Sequence, residues 1–302
     1  MTNSISAKSN SNQLQKTEKQ NNKLRNTAIG CAGVAAGWEA DYFIRKGLRI
    51  PTSKWTIKEI KKIHGVDYRK YLEIAIKQNK LEKDLKIIDL NPQTAEQVKK
   101  SLKISFKEPK GIKKFLAHIF RLPTINNNRS FEATKKGFNA FFSPIDNAVV
   151  CNLEKFSAPL FHEICHKMNI VSKNPLINSL AKIRGPLAVF VPTIISGIAI
   201  FTDPKEKNGE DKKGFKGFVK KHCGLLAAGA MLPLTMEECI ANIRGTDIAR
   251  KAGVTGEALK KIKNLHKASV ISYCTGLIAT GLSVHFGSKI RDYICSKKEN
   301  KA

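Results

Sequence analysis

The sequence predicts a mainly α-helical protein of the α+β class, in which a short β-sheet edge accompanies two to three hydrophobic helices. Three observations lead to this prediction. Capping signals recur in the first hundred residues, and such signals mark the starts of helices. Apolar runs on either side of a turn predict two short strands within residues 138–153. Uncharged stretches at 185–202 and 268–287 have the length and composition of transmembrane helices.

A polar tail precedes the first helices. Residues 1–26 are rich in Asn, Ser, Gln and Lys, a composition that predicts a disordered tail. The apolar patch at 27–38 contains many small residues but is too short to span a bilayer, so it predicts a tightly packed or interfacial helix. We expect residues 27–130 to form a helical N-terminal region.

Two capping boxes place helices within this region. Thr56 is predicted to start a helix that ends near His64, and Thr94 is predicted to start another. A further helix, a short strand and a basic amphipathic helix are predicted at 67–83, 86–90 and 111–121, in that order.

A pair of strands follows. The two runs within 138–153 are separated by Ser143, Pro144 and Asp146, residue types that favour a turn. The sequence therefore predicts two adjacent strands that lead into the next helix.

That helix carries the sequence His-Glu-x-x-His, at His162 to His166. Positions i and i+4 share one face of a helix, so both imidazoles can reach a single zinc ion. Glu163 is the candidate catalytic base, because its carboxylate can take a proton from the water that zinc activates. Ser157 as N-cap and Pro159 in the first turn favour the helix. The alternative is a core helix whose two histidines are merely hydrogen-bonded.

Zinc needs a third protein ligand, for which Glu238 is the best candidate. Asn242 lies at i+4 on the same face and can accept a hydrogen bond from a histidine ring N–H. Glu237 is the competing candidate, but its i+4 neighbour is Ala241, which can orient nothing. Taken without the histidines, both glutamates can also be solvated charges in the first turn of a helix.

The order of these motifs resembles that of the HtpX-like and CAAX-prenyl-endopeptidase group of membrane zinc metallopeptidases. The resemblance covers residues 137–266, and the family typically has Asp where this chain has Asn242. Asn139, Ala140 and Phe141 look like the family's edge strand. They are candidate substrate-binding residues, because an edge strand beside the metal helix lets an extended peptide add as a further strand.

The resemblance implies a zincin-like arrangement of catalytic helices and a membrane-associated zinc endopeptidase. One Zn²⁺ per chain would be held by His162, His166 and Glu238, with Glu163 as the base and a peptide or protein as the substrate. Asn242 would bring no charge to the ligand histidine that it orients, which lowers the expected activity.

The hydrophobic segments suggest how this domain is organised. Residues 131–266 are expected to form a metallopeptidase-like domain that a hydrophobic hairpin at 185–236 interrupts. Residues 267–302 are expected to form a C-terminal hydrophobic helix and a basic tail. These segments predict a multi-pass or hairpin-inserted membrane protein. Basic residues do not choose its orientation, but the long N-terminal region without a signal sequence and the family resemblance both favour a site that faces the cytoplasm. The alternative is a soluble bundle that buries the same helices.

The chain is strongly basic, with a formal net charge of +28 and a sequence pI of about 9.9. Such a charge favours an anionic membrane lipid surface or nucleic acid. Nucleic acid is not expected, because no recognisable binding motif occurs and aromatic residues do not interleave with the basic runs. Two alternatives to a peptidase stay open at this point. One is a catalytically weak or inactive family member that acts as a zinc-binding membrane scaffold, and the other is a basic lipid-binding helical protein.

Overall fold

The computed structural model describes residues 3–104, 106, 110–111, 123–203 and 210–296. In these residues the protein is mainly helical, with eight helices and one small mixed sheet of three strands. The predicted fold class is therefore confirmed. Residues 112–121 of the predicted basic helix lie outside the described residues.

The helices are α1 (Asn3–Ile63), α2 (Arg69–Gln78), α3 (Ala95–Ser101), α4 (Pro123–Lys135), α5 (Leu160–Ile170), α6 (Pro175–Phe201), α7 (Gly214–Lys251) and α8 (Gly256–Ser296). The strands are β1 (Lys86–Asp89), β2 (Ala140–Ser143) and β3 (Ala148–Cys151). Helix α3 and strand β1 occur where they were predicted. Helix α2 is shorter than its predicted range because the chain turns at Lys80, whose φ of 55° is a left-handed conformation.

Helix α1 continues through the position at which a capping box predicted a helix start. Thr56 lies inside α1, and its Oγ1 donates to Thr52 O at 2.9 Å. The predicted start at Thr56 is wrong, because a threonine hydroxyl can also bond the carbonyl four residues earlier within a helix. The predicted end near His64 agrees with Ile63. Helix α1 begins at Asn3, and the disordered tail stays a prediction.

The sheet has the strand order β1-β3-β2. Strand β3 pairs in parallel with β1 and antiparallel with β2, so it is the central strand, and all four of its residues are buried. The turn that joins β2 to β3 is fixed by Ser143, whose Oγ donates to Asp146 Oδ2 at 2.6 Å. The predicted strand pair and its turn are confirmed. In the described residues β2 has a strand neighbour on one side only, so it is an edge strand.

The chain divides into two compact units. Unit 1 contains Met1–Arg45, Ile195–Leu226 and Gly281–Ala302, and unit 2 contains Lys46–Ile194 and Ala227–Thr280. The sheet and every candidate site residue belong to unit 2. The four predicted domain segments have other limits and stay predictions.

The core of unit 2 positions helix α5 closely against α7. The apolar side of α5 is fully buried and packs with residues of β2, β3 and α7. Gly245 of α7 permits the close contact, because a Cβ at this position would lie 2.9 Å from Phe161 O and 3.1 Å from His162 Cα. The backbones of the two helices therefore approach each other at the start of the His-Glu-x-x-His sequence.

Three helices are long and apolar enough to cross a membrane. The most apolar windows of α6, α7 and α8 have mean hydropathies of 1.7, 1.3 and 1.3. Inside the protein, 28%, 28% and 39% of these windows are buried. The segment at 222–236 is short by itself, but it lies within the 38 residues of α7.

Candidate metal centre

Helix α5 does not begin with the predicted N-cap residue. Pro159 is the residue that precedes the helix, and its carbonyl accepts the first backbone hydrogen bonds. Ser157, predicted as the N-cap, is used elsewhere: its Oγ accepts from Tyr68 N at 3.1 Å and donates to Val66 O at 3.2 Å. This contact cannot be read from the local sequence, since it joins α5 to the segment before α2. The helix itself forms as predicted.

Three predicted metal ligands come together in unit 2. His162, His166 and Glu238 each offer one ligand atom, and these atoms lie within 4.8 Å of one another. Glu238 Oε2 lies 3.1 Å from His162 Nε2, and Glu238 Oε1 lies 3.8 Å from His166 Nε2. Ligand atoms around a tetrahedral zinc ion with bonds near 2.05 Å are roughly 3.3 Å apart. The spacing therefore suits a single metal ion.

The chemistry of the donor set also fits a metal. Two imidazole nitrogens and one carboxylate oxygen are ligands that zinc prefers. Glu238 Oε2 is buried and has no hydrogen bond of normal geometry to any described group, an arrangement that is costly unless a cation is near. Burial lowers the pKa of His162, but the adjacent Glu238 carboxylate raises it, so that this pKa lies above its usual value. The site thus favours a cation beside Glu238.

Glu163 lies next to the three ligands. Its side chain is buried, and its Oε2 is 3.8 Å from His166 Nε2, the nitrogen that faces Glu238. A carboxylate in this position can take a proton from a water molecule held among the ligands. The geometry is therefore compatible with the role of base.

Glu237, which the sequence analysis ranked below Glu238 as the third metal ligand, contacts the site directly. Its carboxylate is fully buried, and Oε1 accepts hydrogen bonds from His166 Nδ1 at 2.9 Å and Asn169 Nδ2 at 2.8 Å. The interpretation of both glutamates as first-turn charges is wrong, because α7 begins at Gly214 and the glutamates lie far inside it. The sequence analysis missed Glu237 because it considered only neighbours on the same helix, whereas both partners of Oε1 come from α5.

Asn242, predicted to orient a ligand histidine, makes a different hydrogen bond. Its Nδ2 donates to Glu238 O at 2.8 Å, within the same helix. Its Oδ1 and His162 Nδ1 are both buried without a hydrogen-bond partner among the described residues. His166 instead donates its orienting hydrogen bond to Glu237, and an orienting role of Asn242 stays a prediction.

Arg184 of α6 is a second residue that the sequence reasoning missed. Its Nη1 donates to Glu238 Oε1 at 2.7 Å and also to Glu237 Oε2. Its place immediately before the uncharged stretch at 185–202 gave no signal of this role, because an arginine that flanks an apolar segment ordinarily extends to the membrane interface.

The predicted substrate-binding strand lies beside the metal helix. Ala140 is the first residue of β2, which packs against α5, and Phe141 is half-buried. Asn139 precedes the strand, and its Nδ2 donates to Ser130 Oγ at 2.7 Å. The position is compatible with addition of a peptide strand, and the substrate-binding role stays a prediction.

No family model, no curated protein and no solved structure matches the chain. The fold and the site define its class: a mainly helical protein with three helices able to cross a membrane and a buried group able to hold a metal ion. That group consists of His162, His166 and Glu238.

Proposed function

We propose that this chain is a membrane-associated, zinc-dependent endopeptidase that hydrolyses peptide bonds. The observation that carries the proposal is the convergence of His162, His166 and Glu238 within 4.8 Å, with Glu163 beside them. The resemblance of the motif order to the HtpX-like and CAAX-prenyl-endopeptidase group supports the same reaction.

The chain's own residues would divide the reaction between them. A bound zinc ion supplies polarisation of the scissile carbonyl and a lowered pKa for a water molecule. Glu163 takes the proton of that water and passes it to the leaving amine. The edge of β2 that has no strand neighbour among the described residues, next to Phe141, holds the backbone of a peptide or protein substrate as an additional strand.

The exposed apolar surface supports association with membrane lipid. Phe201, Phe215 and Leu225 have exposed fractions of 69%, 71% and 77%, and they lie on the helices that are able to cross a membrane. Apolar patches of this kind mark membrane or protein contacts. We propose a multi-pass or hairpin-inserted protein with the metal site facing the cytoplasm, where the net charge of +28 favours anionic lipid.

The test is a comparison of Glu163→Gln with the wild type in detergent, using an unfolded protein and a set of quenched fluorescent peptides as substrates. The variant should retain zinc and lose activity on the order of 100- to 10,000-fold, since it keeps the shape of the site but removes the base. Glu132→Gln is the matched control, because Glu132 is a half-exposed surface glutamate. Full activity of Glu163→Gln would refute the mechanism.

A second candidate is a zinc-binding membrane scaffold without hydrolysis. The exposed fractions of His162, His166 and Glu238 are 8%, 4% and 5%, so a large substrate has little access to the three ligands. The neutral Asn242 also favours this candidate. It predicts a zinc-loaded protein that unfolds at a lower temperature when a chelator removes the metal, and that cleaves none of the substrates.

A further inference from the structure

Two neighbouring glutamates of α7 converge on one guanidinium. Consecutive residues of a helix point about 100° apart, so Glu237 and Glu238 would ordinarily face different surroundings. Here both carboxylates are buried, and both accept hydrogen bonds from Arg184 Nη1. Two buried carboxylates repel each other, so this convergence needs positive charge between them.

The charges that touch one another around the triad do not cancel. Glu163, Glu237 and Glu238 carry three negative charges, and Arg184 carries one positive charge. Among the described residues no other lysine or arginine forms an ion pair with these three carboxylates. Counted without the histidines, these four side chains leave two negative charges, which is the charge that a divalent cation balances.

Glu237 fixes the proton and the orientation of His166. A carboxylate only accepts, so His166 Nδ1 donates this hydrogen bond, and Nε2 is the ring nitrogen that faces Glu238 Oε1 at 3.8 Å. Asn169, one turn further along α5, donates to the same oxygen at 2.8 Å. Arg244 Nη1 donates to Asn169 Oδ1 at 2.5 Å, which fixes the amide so that its Nδ2 faces Glu237.

Arg184 fixes the other half of the site. Its Nη1 holds Glu238 Oε1 at 2.7 Å, and this leaves Oε2, the oxygen without a normal hydrogen bond, 3.1 Å from His162 Nε2. Glu238 is therefore offered to a metal through one oxygen only.

From these contacts we infer that Glu237 and Arg184 are the positioning residues of the metal site. Glu237 orients His166 and supplies the negative charge that Asn242 lacks, while Arg184 holds Glu238 as a ligand through Oε2. This inference rests on the metal site of the proposed function. It assigns the orienting carboxylate to the position before the ligand glutamate, rather than four positions after it.

The test measures the affinity of the full-length protein for zinc in detergent at neutral pH, by competition with a chromophoric chelator. Glu237→Gln keeps the size of the side chain and removes its charge, and we expect it to weaken binding about 10- to 100-fold. Asn242→Ala should weaken it less than about threefold, because Asn242 makes no hydrogen bond to a ligand side chain in the described residues. Glu132→Gln, on the surface of α4, is the control.

A spectroscopic readout separates positioning from a general effect on stability. Cobalt(II) replaces zinc in such sites, and its visible absorption reports the coordination geometry. We expect Arg184→Gln and Glu237→Gln to shift or weaken this absorption, and Glu132→Gln to leave it unchanged. Glu237→Asp, which keeps the charge, should recover part of the zinc affinity that Glu237→Gln loses.

The outcomes distinguish this inference from the proposed function. A wild type that binds no zinc would remove the metal site itself. A wild type that binds zinc, together with a Glu237→Gln variant of equal affinity and unchanged cobalt absorption, would overturn the inference and leave the metal site standing.

If the Glu237→Gln variant does not fold, the Asn242→Asp variant tests whether Glu237 supplies the negative charge of the site. If Glu237 already supplies the charge, this substitution gives no gain in zinc affinity. A gain of about tenfold or more would mean that the charge was missing, and the inference would be wrong.

Discussion

Gly245 controls the distance between the two helices that carry the metal ligands, so Gly245→Ala should weaken zinc binding without touching a ligand. The added Cβ would lie 2.9 Å from Phe161 O and 3.1 Å from His162 Cα. Both are backbone atoms, which cannot rotate away, and carbon contacts are normally about 3.5 Å or longer. Helix α5 must therefore move by roughly 0.5 Å relative to α7.

A shift of this size should reduce zinc affinity more than it reduces the stability of the fold. Distances in metal sites are held to about 0.2 Å, so His162 and Glu238 would no longer present their atoms to the same ion. We expect zinc affinity to fall about tenfold or more. The cost of overpacking to the free energy of unfolding should be about 1–3 kcal/mol.

Gly229→Ala provides the control in the same helix. A Cβ at Gly229 meets nothing within 4 Å, and alanine favours a helix over glycine by about 0.5–1 kcal/mol. Chelator competition should show unchanged zinc affinity for Gly229→Ala and a loss for Gly245→Ala. Equal affinity of both variants would refute the argument that this close helix contact builds the site.

Three further predictions concern the rest of the chain. Lys220 is buried in unit 1 and donates to Asp292 Oδ1 at 2.6 Å. Asp292→Asn removes the charge that pairs with this ammonium, so it should lower the free energy of unfolding by about 3–5 kcal/mol in denaturant titrations. An unchanged midpoint of the unfolding transition would contradict this prediction. Burial raises the pKa of the Cys165 thiol, so alkylation of Cys165 should stay slow even above the usual pH range for thiols, whereas the exposed Cys31 should react. Mass spectrometry of the native protein measures both rates, and early modification of Cys165 would contradict its burial. Zinc at about 100 times its dissociation constant should stabilise the protein by about 2.7 kcal/mol, seen as a higher unfolding temperature that a chelator reverses.

The features that the sequence predicted well depend on local spacing. His162 and His166 share a helix face because they are four residues apart, and that spacing holds wherever the helix packs. The turn from Ser143 to Asp146 and the two strands it joins are likewise determined by residues within eleven positions of one another. Apolar length indicated α6 and α8 as helices that are able to cross a membrane, whereas the apolar segment of α7 at 222–236 was ambiguous by itself.

The features that the sequence missed depend on contacts between distant segments. Glu237 seemed unable to act because Ala241 follows it on the helix, yet its partners are His166 on α5 and Arg184 on α6. Ser157 had the residue type of an N-cap, but Tyr68 and Val66 use its hydroxyl. In such cases the side chain has several bonding options of similar energy, and tertiary packing decides among them.

The most direct test of the central claim is the zinc content of detergent-purified full-length protein, measured by elemental analysis. The wild type is compared with His166→Ala and Glu238→Ala. The account predicts about one zinc per chain in the wild type and loss of most of it in both variants, because each removes one of three ligands. A wild type that takes up no zinc when the metal is offered at neutral pH, or variants that retain it fully, would contradict the assignment of the site.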